Sequence, residues 1–332
     1  MLVGSYMEIK KFYYEGLEFV SVKNHDNFVV TLCSLGASMP SVEMDGKFMT
    51  LTPYDFEVFK DKHIYHGKTI GRVANRIKGG TFKIGRKTYK APLNEKTSCL
   101  HGGDEGFSNQ FFNMEVASHQ DEVKVTFTYY SVDTESGFPG NLEVKIVYTL
   151  FENENSVAID YQARSDKDTL VGLTNHAYFS LGSKTIDNLS LYINADKFIH
   201  PDRDYLYPVE YRPVDKVMDF RKMKKVTEDI EASYLDDSWT YGYDHHYCFN
   251  EVDSSKPQVV LENDKYKLQI ITNFNGTQIY TDNYPDTIKF EDTDAVRRRG
   301  VAIEPQDDIL NRKVLKAKED YVRFIKYVFS RK

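Results

Sequence analysis

The sequence predicts an all-β fold, a large antiparallel sandwich. Apolar and polar residues alternate at period two through run after run, which lays one side of each strand on a core. Helical spacing is scarce. Turn signals separate the runs, and Tyr and Phe, which favour strands, number 24 and 21 among 332 residues.

In chain order, Phe28-Val29-Val30-Thr31-Leu32 is an apolar run closed by Gly36. VKVTFTYY (123–130), VKIVYTL (144–150) and VAIDYQA (157–163) alternate at period two. KLQIIT (267–272), Gln278 to Thr281 and VRFIKYVF (322–329) continue the pattern. Between them stand Asp45-Gly46, Gly79-Gly80, Ser136-Gly137-Phe138-Pro139-Gly140 and Asn275-Gly276, combinations that break regular structure. Glu228 to Tyr234 is the best helical candidate, with room for about two turns at 3.6 residues each. Strands without intervening helices indicate a sandwich rather than βαβ units. No repeat and no low-complexity linker divides the chain, so residues 1–332 read as a single domain made of two big sheets.

Composition excludes several classes. The formal net charge is −7, and nucleic acid needs a basic face, so no nucleic-acid partner is expected. The one basic run, Arg297-Arg298-Arg299, reads as a solvated loop before Gly300. No apolar stretch nears the ~20 residues that span a bilayer, so no membrane partner is expected. Met1 to Lys10 lacks the apolar centre of a secretion signal. Cys33, Cys99 and Cys248 are odd in number with no CxxC pair, which fits a reducing, cytoplasmic setting.

Polar residues concentrate in five strand-like or glycine-rich segments. These are Gly71 to Ile77 with Asn75 and Arg76; Leu100-His101-Gly102-Gly103; Asn175-His176 with Tyr178; Tyr243-Asp244-His245-His246; and Glu304 with Gln306. Each has an ordinary structural explanation. A histidine among apolar neighbours is usually a bonded core residue, Gly102-Gly103 suits a tight turn, and Asp244 suits a turn cap. Glu304 between Ile303 and Pro305 is different. A buried unpaired carboxylate costs several kcal/mol, so it is a functional candidate on physical grounds. A buried histidine, His176, facing it would complete a general acid and a general base.

Cys99-x-His101 and His245-His246 lack zinc-site spacing, so no metal is expected. A P-loop and a GxGxxG opening a helix are both missing, so no nucleotide cofactor is expected. A GxSxG elbow is also missing.

GRVANRIKGGTFKI, LHGGDEGF, LTNHAYFSLG, YDHHY, GTQIYTDN and VAIEPQ, in this order and spacing, resemble the aldose 1-epimerases, or galactose mutarotases. SGFPGN, MDFRK (218–222) and EDYVRFIKYVFS resemble family segments too, so the likeness runs from about Gly36 to the C-terminus. It implies a sandwich with an open carbohydrate-binding cleft and a free monosaccharide as partner. It implies that His176 donates a proton to the ring oxygen and Glu304 takes one from the anomeric hydroxyl. Asn75, Arg76, His101, Tyr178, Asp244 and Gln278 match positions that line the sugar site. The chain departs from the family at Ala177, Ser180 and Pro305 and over Leu51 to Phe59, which bears on sugar preference.

The implied reaction is anomer exchange of a hexose such as galactose or glucose, by a monomer or homodimer with no cofactor. The residues alone leave His101 open as the acid. They also leave open a glycoside hydrolase using Asp244 and Glu304 as its carboxylate pair, or a sugar-binding module without activity.

Overall fold

Period-two burial is realised in the long strands of the larger sheet. The computed structural model describes residues 7–236 and 241–332. Residues 1–6 of the N-terminal stretch read above for a secretion signal lie outside the described residues. Glu122–Ser131 buries Val123, Val125 and Phe127 and turns the residues between them outward. Leu142–Phe151, Glu154–Ser165, Asp320–Arg331 and Tyr266–Thr272 carry the other alternating runs.

These five strands are the centre of a nine-stranded sheet. Its order is Asn113–Ser118, Glu122–Ser131, Leu142–Phe151, Glu154–Ser165, Asp320–Arg331, Tyr266–Thr272, Val259–Glu262, Ser190–Ile193 and Lys224–Lys225. A six-stranded sheet runs Tyr178–Phe179, Val301–Gln306, Gly276–Tyr280, Asp244–Cys248, Lys197–Pro201 and Pro208–Pro213. Pairing within both sheets is antiparallel. One apolar cluster joins them: Phe127, Ile146, Ile159 and Ile325 from the first sheet, Val301, Ile303, Ile279 and Phe179 from the second. The Phe179 and Tyr327 rings meet across the seam with centroids 5.1 Å apart. Two large antiparallel sheets on a common core are the sandwich that the sequence predicts.

A third sheet, of five strands over residues 8–48, adds to this plan. Its Ser38–Met44 and Lys47–Phe48 strands are joined through Asp45 and Gly46 at φ 57° and 68°. Positive φ at both central residues marks the hairpin turn whose twist matches its strands.

Two expectations fail. Residues 228–234 do not form a two-turn helix. Ile230, Ala232 and Leu235 each bond to the carbonyl three residues back, and among the described residues the helix here covers only Ser233–Asp236. Val226, Ile230 and Leu235 are buried, so the apolar spacing is real, but a chain of turns satisfies it. The Arg297–Arg299 run is a solvated loop only in part: Arg297 is exposed and Arg298 half-buried, but the third arginine is not. Arg299 is fully buried and bonds Asp282 Oδ2 at 2.6 Å and Asp286 Oδ2 at 2.7 Å. Two carboxylates compensate its charge, the condition under which an arginine enters a core. Among the described residues no helix is long and apolar enough to cross a membrane. Cys33, Cys99 and Cys248 are buried and unpaired.

Candidate active site

The six-stranded sheet carries two kinds of side chain on its two faces. Val301 and Ile303 enter the core, so Ala302, Glu304 and Gln306 face the other way. Directly opposed residues share a face in an antiparallel pair. Gln278 opposes both Glu304 and His246, while Tyr280 opposes both Ala302 and Asp244. Tyr178 opposes Ala302. Register alone therefore puts Tyr178, Glu304, Gln278 and Asp244 on one polar face above an apolar core.

The remaining residues come from loops over that face. Thr174–Asn175 pairs with Thr69–Ile70, and the next residue, His176, bonds Lys68 O through its N–H and Gly67 N–H through its carbonyl. Asn175 serves the frame: its amide donates to Gly67 O and its Oδ1 accepts from Ala177 N–H. Arg72 also serves the frame, donating to Pro139 O and Gly140 O at 3.0 Å. His101 precedes Gly102, where φ is 84° and a Cβ would lie 2.2 Å from Gly71 O, so only glycine fits.

A cleft of about 270 Å³ results. It is lined by all eight residues singled out from the sequence: Asn75, Arg76, His101, His176, Tyr178, Asp244, Gln278 and Glu304. His176 Nε2 lies 3.4 Å from Glu304 Oε1. Asn75 Nδ2 donates to Gln278 Oε1 at 2.8 Å, and Gln278 Nε2 donates to Asp244 Oδ1 at 2.7 Å. Arg76 Nη1 stands 3.5 Å from Asp244 Oδ2. Gln306, just behind, donates to Glu304 Oε2 at 3.4 Å.

Electrostatics follow from burial. Glu304 is 2% exposed. Its carboxyl is pushed well above the usual range, mainly by loss of solvent and then by the charge of Asp244; Arg76 and Gln306 oppose this. Burial lowers the His176 imidazole to about 4. Burial, together with the nearby His176, Arg76 and Arg312, holds His101 neutral, well below its ordinary value. His101 Nδ1 accepts the Asn75 backbone N–H at 3.2 Å. Its proton therefore resides on Nε2, and His101 is a hydrogen-bond donor into the cleft.

His101, His176 and Glu304 also bring three ligand-type atoms within 4.8 Å of one another. The tautomer argues against a metal there. A neutral imidazole that ligates through Nε2 must carry its proton on Nδ1, and at His101 that nitrogen faces an N–H donor. The Cys99-x-His101 pattern contributes no thiol to this cluster, and His245 turns the other way, accepting the Asp244 N–H on Nδ1 and packing on Phe198.

Several lining residues escape sequence reasoning. Tyr65 stacks on His176 with ring centroids 5.7 Å apart, beside the predicted Tyr178, which stacks on it at 5.1 Å. His66 stacks on Tyr178 at 4.2 Å. Glu95 grips Arg76 at 2.5 Å and 3.0 Å. The one local signal is Tyr65-His66 ahead of Gly67; Glu95 sits in an ordinary polar turn with no signal.

A model of the aldose 1-epimerase family matches residues 18–327. A galactose mutarotase from Sus scrofa is 30% identical over 325 residues, covering 92% of each chain. An aldose 1-epimerase from Haemophilus influenzae is 32% identical over 279 residues, covering 80% of this chain and 79% of its own. The solved galactose 1-epimerase of Lactobacillus acidophilus superposes with a TM-score of 0.88 at 25% identity, covering 98% of both chains.

Proposed function

The chain belongs to the aldose 1-epimerase family, and on that premise we propose that it exchanges the α and β anomers of a free hexose such as galactose or glucose. The observation that carries the proposal is the buried contact between His176 and Glu304 at the floor of a cleft of monosaccharide size.

Opening a cyclic hemiacetal requires a proton removed from the C1 hydroxyl and a proton delivered to the ring oxygen. The C1–O5 bond then breaks and C1 becomes a carbonyl. Ionised Glu304 takes the hydroxyl proton, and protonated His176 gives one to O5. The pair now stands as protonated Glu304 and neutral His176. Rotation about C1–C2 presents the other carbonyl face. His176 takes the proton back from O5 as the ring closes, and Glu304 returns one to O1. Each positioned group contributes typically ~10²–10⁴-fold.

Burial favours the neutral arrangement that ring opening produces. Arg76 and Gln306 favour the ionised carboxylate from which it starts. Loss of solvent is the larger influence, so in the sugar-free site the single proton rests on Glu304 and passes to His176, 3.4 Å away, before the ring opens. Asp244, Gln278, Asn75 and Arg76 form one bonded chain, so their remaining donors and acceptors are pre-set to hold ring hydroxyls while C1 turns. Tyr178 offers an aromatic wall. His101 offers an Nε2–H donor rather than a second acid.

We read residues 1–332 as one domain, since strands from Leu17–Lys23 to Asp320–Arg331 feed one apolar cluster. Three unpaired buried thiols suit a reducing cytoplasm. The test is polarimetry on freshly dissolved α-galactose and α-glucose. Equilibration well above the buffer rate is expected, with no release of aglycone from a chromogenic glycoside. Sugar binding at the buffer rate of exchange would identify a binding module instead, and aglycone release would identify a hydrolase.

A further inference from the structure

Arg312 stands outside the sugar cleft, yet it reaches the backbone of the turn that builds one wall of it. Its Nη2 donates to Ala74 O at 2.9 Å and to Arg76 O at 3.4 Å. Those two carbonyls flank Asn75. Among the described residues Arg312 makes no ion pair with a carboxylate; its guanidinium is committed to main-chain acceptors.

The residue between those carbonyls is under local constraint. Asn75 has φ 67°, in the left-handed region that non-glycine residues seldom occupy, although asparagine tolerates it better than most. Backbone and side-chain groups of Asn75 are bonded on every side. Its N–H donates to His101 Nδ1 at 3.2 Å, its carbonyl accepts the His101 N–H at 3.2 Å, and its Nδ2 donates to Gln278 at 2.8 Å. Its Oδ1 accepts the Arg76 N–H at 2.8 Å. A rotation of this one peptide would release the His101 ring and the Gln278–Asp244 chain together. The Ala74 N–H, bonded to Gly172 O at 2.8 Å, ties the turn on one side. Arg312 ties it on both sides of Asn75.

We propose that Arg312 is a positioning residue that locks the Asn75 turn and thereby fixes the tautomer of His101, keeping its Nε2–H directed at the sugar. A guanidinium fits this task because one nitrogen carries two N–H bonds in a plane and can serve two carbonyls at once. The energetic logic is that of a buried backbone acceptor. A carbonyl left without a donor in a closed site is costly, so losing Arg312 would drive the turn to seek other partners.

This rests on the sugar-isomerase reading for its effect on turnover, but its first readout does not. The protein is labelled with ¹⁵N-histidine, and the His101 ring nitrogens are assigned by comparison with His101→Asn. In the sugar-free wild type, Nδ1 is expected unprotonated and Nε2 protonated. In Arg312→Met and Arg312→Gln, a second His101 tautomer is expected, with KM raised roughly tenfold and kcat changed far less. Arg312→Lys, which keeps a cation with several donors, should recover part of both. Circular dichroism reports whether each variant is folded, and the Gln variant supplies the same readings if the Met variant is not. A folded Met or Gln variant with one unchanged tautomer and the wild-type KM overturns the proposal. So does a Lys variant that recovers neither readout. If the tautomer shifts as expected but no variant, nor the wild type, exchanges anomers, the positioning role stands and the functional reading falls.

Discussion

His176 Nε2 and Glu304 Oε1 meet at 3.4 Å with both side chains almost wholly withdrawn from solvent. The two groups therefore titrate as a pair. Loss of solvent raises the carboxyl and lowers the imidazole, so between the lowered imidazole value and the raised carboxyl value the pair holds one proton. Acid/base exchange at a sugar ring needs that count, and it is the same count whether the proton rests on oxygen or nitrogen.

Glu304→Gln and His176→Asn should each lower turnover by roughly 10²–10⁴-fold, the range for loss of one positioned acid or base. Near-ultraviolet circular dichroism should be unchanged, because both replacements are close in shape. Wild-type polarimetric rates in both variants would refute the roles proposed for them.

Glu304→Gln should also change stability with a definite sign. The folded carboxyl is raised above its unfolded value, so its contribution is fully present at acid pH and is lost as pH rises toward the folded value. The variant should gain thermal stability relative to wild type at pH 7–8 and lose that advantage near pH 4. A constant difference in Tm across this range would show that burial does not strain the carboxylate.

Asp244→Asn and Arg76→Ala should weaken sugar binding as well as turnover. Asp244 is held by Gln278 Nε2 and faces Arg76, which Glu95 grips from its other side. Removing either leaves a buried partner unsatisfied, at a cost of roughly 1–3 kcal/mol. The measurement is KM with kcat; an unchanged KM in both variants removes them from sugar recognition.

The strands were legible because a period of two survives any arrangement of sheets. Val123 to Tyr130 and Val322 to Phe329 are strand wherever they pack, and both are found as such. Glu304 was legible because a carboxylate amid Ile303 and Pro305 has few inexpensive structural uses. Which histidine partners it was not settled by the residues, since the Thr174–Asn175 ladder to Thr69–Ile70 is what brings His176 over the sheet. Arg299 misled because three adjacent arginines look solvated until Asp282 and Asp286 arrive from another loop. Tyr65 carries only the weak signal of Tyr65-His66 ahead of Gly67, and Glu95 carries none; both matter through contacts that register and loop packing create.

Activity should survive a strong chelator, and added zinc should not raise it. The His101–His176–Glu304 cluster has the ligand types for a metal, but the Asn75 N–H occupies His101 Nδ1 and leaves the proton on Nε2. Loss of activity on chelation, restored by zinc, would show that the turn rearranges to release the ring.

The pH profile of kcat/KM tests the proton count directly. The plain expectation for an ionised carboxylate and a charged imidazole is an acid limb from Glu304 and an alkaline limb from His176, with mutual attraction widening the plateau. Burial reverses the assignment. The imidazole is lowered to about 4 and the carboxyl is raised, each chiefly by loss of solvent. The acid limb should therefore fall near pH 4, where the pair gains a second proton on His176. The alkaline limb should lie above the ordinary carboxylate range, where the pair loses its single proton from Glu304. In His176→Asn, the acid limb should disappear from the residual activity while the alkaline limb remains. Arg76→Ala should move the alkaline limb upward, because Arg76 is a charge that favours ionised Glu304 while the nearby Asp244 opposes it. An acid limb that persists unchanged in His176→Asn would assign the second proton elsewhere, and His101, whose ring centroid lies 5.2 Å from that of His176, would be the next group to replace.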